Sequence, residues 1–296
     1  MKTTEHERPD QAAPVGLVRV SGERIGDLLR KKPGLSEREL EAGLAYQRAH
    51  GVPLGEAAIA LGLASRTDVV EALSHQFRFP LAPTGALAGS DAMVAAADPF
   101  GDEAETFREL RTELLADVFD DGTRRALAIL SPQRGDGRSY VAANLAVTFS
   151  QLGRRTLLID ANMRSAGLHR LFGIDRSPGL SSILAGRLET NVVHASRDVQ
   201  GLFLLAAGPV PPNPLELLQQ DSFDFLVQEM LERFEYVIID TPAGAQGADA
   251  RVIARMAGAA LVVGRKDHTR MADLRRMLGA IGSGPAKLAG VVVNDY

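Results

Sequence analysis

Six short apolar runs recur through the last 170 or so residues: "RALAIL" (125–130), "RTLLID" (155–160), "LFLLAA" (202–207), "YVIID" (236–240), "AALVVG" (259–264) and "LAGVVV" (288–293). Apolar runs of this length read as strands buried on both faces. Between them, amphipathic stretches near 139–152, 180–186, 215–233, 247–257 and 268–281 read as helices. Steady alternation of strand and helix predicts an α/β architecture, a doubly wound and mostly parallel sheet covered by helices on both sides.

The residues before this region follow other patterns. Residues 1–20 are polar and without period, as a disordered tail is. A tandem repeat fills 21–79: "RIGDLL…LSERELEAGLAYQ" aligns with "PLGEAA…ASRTDVVEALSHQ" at an offset of 29 residues, pairing Ile25 with Leu54, Gly26 with Gly55 and Gln47 with Gln76. Ser36 and Ser65 stand where helix N-caps stand, so each repeat reads as two short helices. Residues 80–102 are rich in Pro, Ala and Gly and read as a linker. The charged helix "EAETFRELRTELLADVF" then opens a domain over 103–296.

Composition narrows the chemistry. Lys and Arg total 33 against 37 Asp and Glu, a net charge of −4 that argues against general nucleic-acid binding. With no Cys, disulfides, thiolate metal sites and cysteine nucleophiles are excluded. The opening "MKTTEHERPDQAAPVG" lacks the apolar core of a secretory signal, and no run of 18 apolar residues occurs, so the expectation is a cytoplasmic protein.

The loop "SPQRGDGRS" (131–139) joins the first strand of the sheet to a helix. Gly135 and Gly137 let successive backbone amides turn toward an anion, and the helix N-terminus adds partial positive charge. The candidate nucleotide-binding residues are Gly135, Asp136, Gly137, Arg138, Ser139 and Tyr140. Ser139 sits where a hydroxyl ligates Mg²⁺. Asp160 and Asp240 each end a strand and converge on the crevice where ligands of such folds bind. Ser139, Asp160 and Asp240 are the candidate metal set. The loop departs from the usual pattern at Pro132, where glycine is normal, and at Arg138, where lysine is.

From about Glu103 onward the chain resembles the bacterial tyrosine kinases of polysaccharide biosynthesis, in particular the separate-subunit, EpsG-like chain-length determinant kinases. The resemblance rests on "SPQRGDGRS", "LLIDANMR" and "VIIDTPA" in that order, and on "AAGPVPPNPLELL" (206–218). It implies a P-loop NTPase fold of the MinD and bacterial-tyrosine-kinase kind, with ATP and Mg²⁺ as cofactors and autokinase activity on tyrosine. Arg138 and Asp160 would then be the catalytic residues. Glu105, Arg108 and Arg111 match the family's oligomerisation spacing. It also implies a homo-oligomer, held near the inner membrane by the cytosolic tail of a chain-length determinant (Wzz-like) membrane protein.

Asn162 replaces the family's second aspartate, and an amide is not a general base. The family's C-terminal tyrosine cluster is absent, which leaves the final residue, Tyr296, as the candidate phosphosite. These departures leave a second reading open, a nucleotide-gated scaffold with impaired catalysis. The repeat resembles the N-terminal domain of type II secretion ATPases of the MshE type. That implies either a cyclic di-GMP site or a docking module at Arg24, Gly26, Leu29 and Gln47.

Overall fold

The computed structural model describes residues 25–31, 35–77, 92–187 and 192–295. Arg24, Tyr296 and the tail expected over 1–20 lie outside the described residues. The chain divides into two compact units between Arg78 and Phe79.

Among the described residues the first unit has four helices: α1 (Ile25–Arg30), α2 (Glu37–His50), α3 (Leu54–Ala60) and α4 (Arg66–Phe77). Both expected caps form. Ser36 Oγ accepts from Glu39 N while the Glu39 carboxylate accepts from Ser36 N at 2.7 Å. Ser65 and Asp68 repeat that reciprocal pair at 2.9 and 3.2 Å. Such boxes satisfy amides that the first helical turn leaves unpaired. The repeated glycines are packing positions: a Cβ on Gly55 would stand 2.5 Å from Val69 Cγ1, and one on Gly26 would rest 3.7 Å from Leu40 and Leu54. Leu29 and its counterpart Ala58 lie in the same small core. Of the described members of the messenger or docking set, Leu29 is taken up by the core, while Gly26 and Gln47 are half-buried.

The second unit holds one seven-stranded sheet in the order β3-β4-β2-β5-β1-β6-β7. The strands are β1 (Ala126–Leu130), β2 (Thr156–Asp160), β3 (Val193–Ala195), β4 (Leu202–Leu205), β5 (Tyr236–Asp240), β6 (Gly258–Arg265) and β7 (Lys287–Asn294). All neighbours run parallel except β3, which is antiparallel to β4. β3 was not expected: three half-exposed residues at an edge carry no apolar run. Residues of β1, β2 and β5 are buried without alternation, save the half-buried Tyr236 that opens β5. Side chains on successive residues enter opposite cores. Ala126, Ala128 and Leu130 face one, with Phe223 and Ile253; Leu127 and Ile129 face the other, with Phe107 and Phe149. Each fully buried Leu or Ile contributes roughly 1.5–3 kcal/mol of transfer free energy.

Two expectations change here. Residues from 92 are part of this unit, not linker: α5 (Val94–Ala97) is one helical turn, Met93 and Ala95 are fully buried, and α6 (Asp102–Leu114) follows. The segment is clamped to α7 (Arg138–Ser150), whose Asn144 donates to the Ala92 carbonyl at 3.1 Å and accepts from Ala95 N at 2.9 Å. A run of "VAAA" shows no period in the sequence, so its burial was illegible. The helix expected over 215–233 is two, α10 (Pro214–Leu218) and α11 (Asp221–Arg233), with Pro at the first turn of α10, where its missing N–H costs nothing. The remaining α-helices among the described residues are α8 (Leu168–Leu171), α9 (Leu180–Leu184), α12 (Asp249–Ala257) and α13 (Met271–Gly282), with a π turn over Leu115–Phe119 and a 3-10 turn over Gly244–Gln246.

Candidate functional site

The strand order brings the carboxyl ends of β1, β5 and β2 side by side, and the candidate loop lies there. Gly135 and Gly137 have φ of 88° and 97°, values that side-chain-bearing residues rarely adopt. Gly137 also has no room for a Cβ, which would collide with the Asn294 side chain. Pro132, standing in place of glycine, passes its carbonyl to Ala245 N at 2.9 Å, and the Ser131 carbonyl accepts from Gly244 N at the same distance. The start of the loop is thereby bonded to the segment after β5.

Asp136 is fully buried and turned away from the crevice. Its carboxylate accepts from Gln133 N and from Thr269 Oγ1, both at 2.7 Å. Its side chain therefore shapes the loop, which leaves the backbone amide as what Asp136 can offer a phosphate. Arg138, 6% exposed, also turns inward, with Nε on the Thr241 carbonyl and Nη1 on Ser131 Oγ and the Gln133 carbonyl. Tyr140 packs edge-on against Phe107 on α6.

The two strand-end carboxylates are Cα partners in the sheet but do different things. Asp160 Oδ1 accepts from Asn162 N at 3.1 Å, and Oδ2 accepts from Gly167 N and Leu168 N at 3.2 Å. Three of its acceptor sites are thus used by the turn after β2, so within the candidate metal set Asp160 has less to offer a cation than Asp240. Asp240 Oδ2 accepts from Ser139 Oγ at 2.5 Å, while Oδ1 is buried with no hydrogen-bond partner. Burial raises the pKa of both, and the Asp160 charge raises that of Asp240 further. A buried carboxylate oxygen left unpaired beside a hydroxyl is costly, and it is the donor chemistry a hard divalent cation takes. Ser139 and Asp240 therefore fit Mg²⁺. Among the described residues no group of three His, Asp or Glu could hold a metal alone, so the other ligands of such an ion would be water and phosphate.

Asn162 is spent on the same turn: Nδ2 donates to the Ser165 carbonyl at 2.9 Å and Oδ1 accepts from Ser165 N at 3.0 Å. Arg164 forks onto buried Asp249 at 3.1 and 3.2 Å, fixing the turn to α12. Over the loop opens a cavity of about 400 Å³. Gly135, Gly137, Arg138, Ser139 and Tyr140 line it, joined by Asn162, Arg170, Gln246, Arg265 and Asn294. The last four belong to no motif. Asn294 alone had a legible signal, a polar residue ending the apolar run "VVV", the same sign that marked Asp160 and Asp240.

The three residues matched to oligomerisation do not form one free face. Arg108 pairs with Glu105 and donates to the Pro99 carbonyl at 2.5 Å. Arg111 turns inward, donating to the Thr148 carbonyl at 2.7 Å near the end of α7.

A mostly parallel sheet with this order, a glycine loop feeding a buried helix, and a serine–aspartate pair at the switch point define the P-loop fold of the MinD-like doubly wound kind. Residues 126–280 match the family model described as cellulose biosynthesis protein BcsQ. Tyrosine-protein kinase YwqD of Bacillus subtilis is 32% identical over 203 residues, covering 68% of this chain and 85% of YwqD. Tyrosine-protein kinase ptk of Acinetobacter johnsonii is 33% identical over 191 residues, 64% of this chain, and the chain spans 26% of that longer relative. The kinase domain of Escherichia coli tyrosine kinase ETK superposes with a TM-score of 0.64 at 29% identity, covering 68% of this chain and 79% of that one. The chain belongs to the bacterial tyrosine-protein kinase family. No helix among the described residues is long and apolar enough to cross a membrane.

Proposed function

We infer that the chain is an ATP- and Mg²⁺-dependent protein tyrosine kinase that regulates exopolysaccharide polymerisation and export. The observation that carries this reading is the Ser139–Asp240 pair, with its unpartnered carboxylate oxygen, at the start of α7. Amides of Gly135–Ser139 and the N-terminus of α7 would hold the phosphates. Bound Mg²⁺ would neutralise charge on the transferring phosphoryl group, and Ser139 and Asp240 would hold it. Asp160 would take the proton from the acceptor tyrosine: three amide bonds leave one of a carboxylate's four lone-pair sites, and burial raises its proton affinity.

The acceptor tyrosine would be Tyr296 of a neighbouring copy or a tyrosine on a partner. The partner would be the cytosolic tail of a chain-length determinant membrane protein, holding the kinase at the cytoplasmic face of the inner membrane. Ring assembly would use Glu105, with Arg108 and Arg111 placing it. The helical unit would serve docking; cyclic di-GMP binding there would fall to Arg24 and Gln47. The names of the relatives favour the kinase over the non-catalytic scaffold. The deciding experiment is phosphotransfer by the purified protein with Mg²⁺–ATP, with and without the partner's tail, mapping phosphotyrosine by mass spectrometry. Phosphate on Tyr296 or on the tail, lost in Asp240→Asn, is the expected result. Tight ATP binding with no transfer under either condition would replace the kinase with the scaffold.

A further inference from the structure

Arg138 stands where loops of this kind carry a lysine that meets phosphate, yet its hydrogen bonds point elsewhere. A guanidinium has five N–H donors, one on Nε and two on each Nη. Nε donates to the Thr241 carbonyl at 3.0 Å. Both Nη1 donors are used, one on the Gln133 carbonyl at 2.7 Å and one on Ser131 Oγ. Arginine grips phosphate through two parallel N–H groups, using either the Nε and Nη2 edge or the Nη1 and Nη2 edge. Each edge has given one of its two nitrogens to the protein. A two-pronged phosphate contact would first have to break one of these buried bonds.

The three acceptors come from the residue after β1, the loop and the segment after β5, stretches also joined by the Ser131–Gly244 and Pro132–Ala245 backbone bonds. Ser131 follows β1, Gln133 is in the loop, and Thr241 follows β5. Thr241 is itself tied back to β1, its Oγ1 donating to the Ile129 carbonyl at 2.7 Å. Arg138 immediately precedes Ser139, and Thr241 immediately follows Asp240. The guanidinium is thus a crosspiece behind the Ser139–Asp240 hydrogen bond.

We propose that Arg138 is a positioning residue, locking the loop to β5 and so setting the Ser139–Asp240 spacing, while backbone amides and other cavity cations meet the phosphates. This rests on the nucleotide-site reading above. It explains why arginine serves here: an ammonium is one point on a flexible stem and cannot bridge three acceptors approached from two edges.

The test is Arg138→Lys against the native protein, read in three ways. Without nucleotide, the melting temperature should fall by roughly 4–8 °C, because buried carbonyls lose their donors. The Mg²⁺ concentration that half-saturates nucleotide binding should rise by about tenfold, as when a group that orients a metal ligand is lost. ATP and ADP should weaken by the same factor, since phosphate count does not enter. An unchanged melting temperature with ATP bound as tightly as in the native protein, or tighter, would overturn the proposal and restore Arg138 as a phosphate contact. A fall in melting temperature with an unmoved Mg²⁺ midpoint would also overturn it, leaving a residue that only stabilises. A native protein that binds neither nucleotide would instead sink the nucleotide-site reading, and this proposal, which rests on it, would fall with it.

Discussion

The two units use repeated or ordered motifs in opposite ways. In the sheet unit, "SPQRGDGRS", "LLIDANMR" and "VIIDTPA" are far apart in sequence, and the strand order carries their last residues to one edge. There, polar groups are buried at a cost that packing alone does not recover, as with the unpartnered Asp240 oxygen. In the helical unit the repeated Gly26 and Gly55, Leu29 and Ala58, are all taken up by helix contacts. A spacing that persists can thus encode a ligand site or merely a way for helices to touch. What each residue touches separates the two, and motif spacing does not: Gly55 is closed in by Val69, while the Asp240 oxygen at the crevice meets no protein donor.

The largest expected effect lies in the sheet unit. Asp240→Asn should lower phosphotransfer by at least about 100-fold, measured with saturating ATP, since metal-site groups typically carry that much. The same change should alter stability with a predictable sign. The pKa of Asp240 is pushed from 3.8 up to about 7 by burial and by the Asp160 charge. Between those values the folded state holds a proton that the unfolded state has released, so stability falls as pH rises through that interval. Nucleotide-free native protein should therefore melt lower at about pH 8 than at about pH 5, and the Asn variant should flatten that dependence. An unchanged slope in the variant would mean the strand-end carboxylates are not strained, and the contrast between the units would fail.

The matching disruption in the helical unit is Leu29→Ala, which should cost ~2–5 kcal/mol by removing a buried side chain from a small core. It should abolish the first transition of a two-step melt and leave ATP affinity of the sheet unit unchanged. Smaller, and sharper, is the pair of glycines. Gly55→Ala should destabilise that unit by ~1–3 kcal/mol, because the new methyl meets Val69 at 2.5 Å. Gly26→Ala has 3.7 Å of clearance and should be neutral or stabilising by up to ~1 kcal/mol, the gain of alanine over glycine in a helix. Equal effects at both glycines would show that contact distance does not govern the repeat.

How much of this was legible follows from what kind of residue carries each feature. The strands of the sheet, the loop glycines and the strand-end carboxylates were readable because each is a break in a strong local pattern. The edge strand Val193–Ala195 and the turn Val94–Ala97 were not, since their place depends on neighbours distant in sequence. Arg170, Gln246 and Arg265 line the cavity from loops without periodicity, so only the fold assembles them. Side-chain direction was the least legible of all. The sequence shows a cation at 138 and carboxylates at 136 and 160, but whether each faces the crevice or the protein is settled by hydrogen bonds to Thr241, Thr269 and Leu168.

Asn162 turns that last point into a test with the smallest expected effect. Read from sequence, it stands where the family has its second aspartate, and Asn162→Asp would raise activity if that residue were the base and change little if Asp160 is. In the structure both ends of the amide are bonded to Ser165, and a carboxylate cannot supply the N–H that meets the Ser165 carbonyl. The substitution also adds a negative charge beside the already strained Asp160. The expected outcome is a loss of about 1 kcal/mol in stability with phosphotransfer changed by less than about tenfold. A rise of 100-fold or more would mean position 162 does stand over the reacting atoms, and that the turn releases it when substrate arrives. With no such gain, the amide is a structural pin that fixes one wall of the cavity, the outcome expected if Asp160 is the group that takes the proton.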